Sequence, residues 1–475
     1  MHPYRRTVLL SLVVLCTYAL PTQLAAAQSS LTCDPPHYAG VTHCTTDGGL
    51  THIILIDLKN PHIRFEMVMA NDADTVNPPV AQRELVADMA ARYRDKGAVA
   101  AINADYFSVA VPQDNHGPEG FTVKNGHRID GPHSNDTDSN AYSRSSLAIS
   151  RSNRVEIGEK SEVDVQNQDS YRERFFNAVG GGPLIVRDGV ALSNEQACGG
   201  RNSGTVDKFS LSVCTRGMQT AAGVTKDGKT LVLVMSGKRD AAQVARILIE
   251  QGAYTAIKFD GGGSSQVWYD GTAYYGSGER RQVADALVVF SAPLPEYDAV
   301  LVDQSNFVIL NPGESAKLYI ETKNTGRQMW VPGQGIQLVR VGGEVMGARS
   351  PLDLPANVTS GQTRRWEFAI TAPGRAGLYQ TTWQLKRGSG PIGQAVTLNV
   401  IVLPPEAKEL REKLKRKIEE WRKQGEQKIE ELIAEITREI QKYVEREVEK
   451  GIRSICGAPA GALVLICAVW LKRYR

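Results

Sequence analysis

Residues 256–271 read AIKFDGGGSSQVWYDG, an apolar run that ends in an acid, three glycines and two serines. A nucleotide phosphate loop needs Lys and then Ser or Thr after its glycines, and that lysine is missing. A dinucleotide-binding turn needs spaced glycines entering a helix, whereas Gly261, Gly262 and Gly263 are contiguous and no helical period follows. A hydrolase elbow needs a glycine two places after its serine, and Ser264 is followed by Ser265 and Gln266. What is left is a buried strand, out of which Lys258 alternates, with Asp260 at its end and a loop without side chains. Glycines there let backbone approach a ligand, and successive amides can form an anion-binding nest. Ser264 and Ser265 add hydroxyls, while Asp260 can grip a sugar hydroxyl, hold a metal or transfer a proton. The competing reading is a tight turn between two strands, capped by its acid.

A second acid stands in AINADYF, residues 101–107. The period of a strand puts Asn103 and Asp105 on one face. With Asp260 they give a constellation at neighbouring strand ends, and two carboxylates are the minimum for glycoside acid/base chemistry. Gly181 and Gly182, in NAVGGGPLIVRDG (177–189), supply a further wall of the same cleft or only a bend. The loop VPQDNHGPEGFTVKNG (111–126) carries His116 and Glu119, the groups there best suited to substrate binding and catalysis.

Outward from this centre the chain is a series of units. The 475 residues are 42% hydrophobic, enough for more than one folded body. A net charge of +3 gives no footprint for nucleic acid. Residues 1–27 read as a secretory signal: Arg5 and Arg6, an apolar run, then Ala25 and Ala27 at a cleavage site. Residues 28–49 form a lead-in with a cysteine pair. In an exported chain, Cys33–Cys44 and Cys198–Cys214 are the simplest disulfides. A metal site using His37 or His43 is the alternative for the first pair. Residues 50–293 mix many short strands with few helices, including one in PPVAQRELVADMAARYRDKG (78–97) and one in DAAQVARILIEQGAY (240–254). The fold class expected is α+β.

Residues 300–403 are strand-length runs between Pro, Gly and Asn turns, as in an immunoglobulin-like β-sandwich, with Trp330, Trp366 and Trp383 filling its core. Residues 405–450 carry Leu410, Leu414, Ile418, Trp421, then Ile429, Leu432, Ile436 and Ile440 at helical spacing. That spacing, interrupted at Gly425, predicts a long amphipathic or coiled-coil helix, through which copies of the chain could associate, or else a helix lying on a membrane surface. Residues 455–471 are uncharged and mostly apolar, and Lys472, Arg473 and Arg475 follow. They predict a membrane-spanning helix with a basic cytoplasmic tail, 472–475, and the catalytic body on the extracytoplasmic side.

Six segments occur in order: AINADYF, EGFTVKNG, GGPLIVRDG, MQTAAGVTKDGKTLVLVM, QVARILIEQGAYTAIKFDGGGSSQVWYDG and RRQVADALVVF. Together, over about residues 50–292, they resemble the phosphodiester glycosidase family. The resemblance implies a hydrolase that cleaves a glycosyl phosphodiester or related glycosyl bond of a surface or extracellular glycoconjugate. Asp105 and Asp260 would frame the reaction, with Glu119 a further catalytic candidate. Asn103, His116, Gly181, Gly182, Arg216, Thr220, Gly261, Gly262, Gly263, Ser264 and Ser265 are the substrate-binding candidates. The family segment Arg-Thr-Ala-x-Gly falls on residues 219–223, and here Gln219 stands in place of the arginine. A glutamine cannot supply the charge with which an arginine grips phosphate, and Arg216 is the nearby cation. No cofactor is fixed by these residues; a divalent cation such as calcium, bridging the acids, stays open. So does a second function, a non-catalytic glycan-binding or structural surface protein.

Overall fold

The computed structural model describes residues 31–74, 83–107, 117–129, 145–158, 175–199, 209–276, 280–425 and 428–456. The expected signal, the apolar run at 455–471 beyond Cys456, the basic tail and His116 lie outside the described residues. Among the described residues no helix is long and apolar enough to cross a membrane.

The architecture is rich in β-sheet, with few helices. Three antiparallel sheets build the part that holds the site. The largest has eight strands, with Thr51–Asp57, Thr230–Arg239, Gly217–Thr225 and Ala253–Phe259 at its centre. One five-stranded sheet runs from Thr272–Tyr275 through Gln266–Tyr269, Ala98–Asn103 and Asp285–Phe290 to Arg64–Met69. The other contains Thr122–Lys124, Asn177–Gly180 and Ser146–Ile149. Ile54, Leu233 and Ile257 of the first meet Ile102, Val267 and Leu287 of the second and Leu147 and Val179 of the third in one core. Strands buried on both faces read as unbroken apolar runs, which is why AVAAIN and TLVLVM show no alternation.

The helix Ala241–Glu250 begins in a capping box made by Asp240 and Gln243. Its face Ala241, Val244, Ala245 and Leu248 packs on Val232, Val234 and Ala256 of the largest sheet. The helix expected within residues 78–97 is Val86–Ala91, and Gly97, in the left-handed conformation with φ 95°, ends the turn that follows it. Cys33–Cys44 joins two paired strands, and Cys198–Cys214 joins the helices Asn194–Cys198 and Leu211–Cys214. Both ring nitrogens of His43 are engaged, Nδ1 with Asp34 at 2.6 Å and Nε2 with His52 at 3.1 Å. Two disulfides mark an extracellular or luminal setting.

Further along, a three-stranded sheet, Ala299–Gln304, Ser315–Asn324 and Thr363–Thr371, faces a five-stranded one built on Gly377–Arg387 and Gly390–Val402. Leu318, Ile320, Trp366, Trp383 and Leu398 fill the space between, and Trp330 and Trp383 are fully buried. The single helix expected over 405–450 is instead two, Lys408–Lys423 and Ile429–Cys456. Gly425, at φ 78°, ends the first. Leu410, Leu414, Ile418 and Trp421 meet Leu432, Ile436 and Ile440 of the second helix and Phe307, Ile401 and Leu403 beside the sheet. The stripe expected to serve other copies is thus buried within the chain.

Candidate active site

The glycine loop sits where the largest sheet meets the sheet that holds Ala98–Asn103. Strand Ala253–Phe259 delivers Asp260, whose amide donates to the Ala104 carbonyl at 2.9 Å. The Asp260 carbonyl accepts from Asn103 Nδ2 at 2.8 Å and from the Thr220 hydroxyl. Asn103 Oδ1 takes the Gln266 amide at 2.9 Å on the far side of the loop. Asn103 and Thr220, expected to touch substrate, are both buried and hold the loop at its two ends. Within it, Gly262 adopts φ 62° and the residues 262–264 make one tight turn.

Glycine at 261 is a matter of space. A Cβ there would stand 2.8 Å from the Met218 carbonyl oxygen and 3.0 Å from Lys258 Nζ. At 263 it would collide with the Arg281 guanidinium. Gly181 and Gly182 are buried behind the loop: Gly182 N–H donates to the Lys258 carbonyl at 2.8 Å, and a Cβ on Gly181 would press on that same oxygen. They let two backbones meet and do not line the cleft.

The cleft has a volume of about 290 Å³ and is lined by Tyr106, Thr215, Arg216, Gln219, Lys258, Asp260, Gly261 and Gly262, among others. Asp260 is its carboxylate. Burial pushes that carboxyl above the ordinary range, while the Ser264 hydroxyl, the Lys258 ammonium, the Gly261 amide and Arg281 pull it back. Ser264 and Ser265 are both fully buried, under the loop rather than on the cleft wall. Lys258 does not alternate out to solvent but is 2% exposed. Its ammonium donates to the Phe259 carbonyl at 2.9 Å and to Tyr106 Oη at 3.2 Å, and burial brings its pKa down to about 8.

Asp105 is placed differently from expectation. The strand ends at Asn103, so the alternation that would pair the two side chains stops there. The carboxylate turns back into the fold, is 1% exposed, and accepts the amides of Tyr106 (2.7 Å) and Gly120. Cβ atoms on Gly120 or Gly180 would overlap it. It does not line the cleft. Beneath it lies Asp285, which the sequence reading missed. Its Oδ1 accepts the Asp105 amide at 3.0 Å, and burial, with the Asp105 charge beside it, pushes its carboxyl well up. Glu119 donates its amide to the Tyr106 carbonyl at 2.9 Å but stays outside the cleft lining. Among the described residues no group of three or more His, Cys, Asp or Glu is placed to hold a metal ion.

Comparison with known proteins bears on this site. No curated protein sequence matches the chain. Among solved structures, the catalytic domain of zebrafish N-acetylglucosamine-1-phosphodiester alpha-N-acetylglucosaminidase, auto-inhibited by its pro-peptide, is similar at 21% identity and TM-score 0.39, covering 56% of this chain and 85% of that one. A hypothetical protein from Synechocystis is similar at 15% identity and TM-score 0.35, covering 56% of this chain and 68% of that one. The phosphodiester glycosidase family matches residues 96–290, a span that includes Asp105, Arg216, Gln219, Lys258, the glycine loop and Asp285. Over residues 96–290 the chain is therefore similar to the phosphodiester glycosidase family.

Proposed function

We propose that the protein hydrolyses a glycosyl phosphodiester bond of a surface or extracellular glycoconjugate, with Asp260 as the group that handles the proton. One observation carries this reading: in the segment that matches the family, Asp260 is the carboxylate lining a cleft that is otherwise cationic and glycine-walled. Water attacks the anomeric carbon as its bond to the phosphate oxygen breaks. The phosphate leaves with the bonding electrons, and the water proton passes to Asp260. Phosphate departs without protonation, so one carboxylate is enough, and the enclosed Asp105 has no part in the transfer. Its role here is to fix the loop that carries Tyr106. The backbone around Gly261 and Gly262 offers amide dipoles to the departing charge.

In this reading the sheet pair that follows is an immunoglobulin-like spacer, extended by the helical hairpin. An export signal and a helix at 455–471 would hold the cleft outside the cell membrane. The substitution of Gln219 for a family arginine favours one other function, a glycan-binding surface protein without turnover. Full-length protein and Asp260→Asn, assayed on a sugar-1-phosphodiester, separate the two. Loss of a general base costs roughly 10²–10⁴ in kcat. Retained turnover in Asp260→Asn sinks the mechanism, and binding without cleavage by the unaltered protein favours the glycan-binding reading.

A further inference from the structure

We propose that Arg216 and Lys258 form a two-cation clamp for the phosphoryl group, so that the charge absent at position 219 enters the cleft from two other residues. The assignment of the anion as a phosphodiester rests on the hydrolase reading above. Both side chains line the same cleft. Arg216 is exposed and makes no ion pair among the described residues. It follows the helix Leu211–Cys214, which Cys198–Cys214 ties down, and precedes strand Gly217–Thr225, so the segment carrying it is anchored on both sides.

Lys258 supplies the buried half. Its ammonium has neutral partners, the Phe259 carbonyl and the Tyr106 hydroxyl, and these take two of its three hydrogens. No carboxylate lies within ion-pair distance of it among the described residues, although Asp260 in the same cleft offsets part of its charge. The missing side chain at Gly261 keeps Nζ uncovered on the loop side, since a Cβ there would stand 3.0 Å from it. Gln219 cannot take the anion. Its Nε2 is committed to the Thr215 carbonyl at 2.9 Å, which leaves a carbonyl oxygen, an acceptor, buried without a donor. A guanidinium that can engage two oxygens and a desolvated ammonium suit a tetrahedral anion.

Two measurements on the full chain test the clamp. In the first, inorganic phosphate is titrated calorimetrically into the unaltered protein, Arg216→Gln and Lys258→Met, each matched for melting temperature. Loss of a hydrogen bond between charged groups is worth about tenfold to a hundredfold, so each variant should bind phosphate at least about tenfold more weakly. Arg216→Lys should fall between. In the second, kcat/KM is compared for a sugar-1-phosphodiester and for the neutral nitrophenyl glycoside of the same sugar. Both substrates can respond to Lys258→Met through Asp260, so each variant is compared at its own pH optimum, and there the phosphodiester value should drop by at least about tenfold more than the neutral one. Equal losses on both substrates would make the two residues structural and overturn the clamp. So would unaltered phosphate binding in both variants, even if the protein proves to be a hydrolase. A protein that binds phosphate through Arg216 and Lys258 yet cleaves neither substrate keeps the clamp and loses the hydrolase reading. Absence of phosphate binding in the unaltered protein overturns the clamp outright.

Discussion

Replacing Gly180 with alanine separates a structural Asp105 from a catalytic one. The added Cβ would fall within 2.7 Å of Asp105 Cγ and of Gly120 Cα, where ordinary contact begins at 3.4 Å. Asp105 Oδ2 would stand nearer still, so the packing must open by roughly 1 Å, which as overpacking costs about 1–3 kcal/mol. The carboxylate cannot move freely, because it is held by the amides of Tyr106 and Gly120. Such bonds to a charged acceptor are worth ~1.5–3 kcal/mol each, and losing half of that strength in both brings the total to ~2.5–6 kcal/mol. For a body of this size the melting transition should fall by roughly 10–20 °C. Calorimetry with the disulfides intact reads this directly, and a second change that shrinks the acid, Asp105→Ser, should recover part of the loss. A transition within about 2 °C of the unaltered protein, with turnover abolished, would refute the reasoning. It would mean that the acid faces substrate after all.

Asp285 gives a pH test. Its folded pKa is raised above the ordinary 3.8, so the unfolded chain releases this proton first. Stability is then full below about pH 4 and falls by up to ~1.4 kcal/mol per unit as pH rises toward the folded value. Asp285→Asn should flatten that fall in denaturant midpoints taken at acid and neutral pH, and parallel curves for the two proteins would contradict it. Lys258 gives another. With its pKa near 8, and facing Asp260 and Tyr106, it should hold a phosphodiester below that pH and release it above. A diester has no second ionisation near neutrality to confuse the profile, so KM should rise through pH 8, and Lys258→Met should abolish the rise. An identical rise in the variant would assign it elsewhere.

Much of the fold was legible because its signals are local. The glycine loop after an apolar strand, the helix within residues 240–254 and the strand-length runs over 300–403 each depend on a few neighbours in sequence. The errors come from where local periods stop. Asn103 and Asp105 share a face only while the strand lasts, and it ends at Asn103. Lys258 was read as alternating to solvent, but both faces of Ala253–Phe259 are covered, so alternation there carries no exposure. Asp285, before an apolar run, looks like a turn cap, and its bond to Asp105 spans 180 residues. Gly425 was visible as an interruption of the helical stripe. That the stripe folds back on its own sheet depends on Phe307, Ile401 and Leu403, a tertiary fact without a local signal.

The burial of Lys258 has a consequence for its reactivity. An ordinary lysine, near 10.5, is almost wholly ammonium at pH 8, whereas burial brings Lys258 down to about 8. It is a nucleophile as well as a cation, and it opens on the cleft. Acylating or aldehyde reagents small enough to enter should mark it ahead of surface lysines, and an aldehyde that bears a phosphate would be drawn to the place where the chemistry is proposed. The same amine that holds an anion in one protonation state becomes, in the other, a handle for labelling the site covalently.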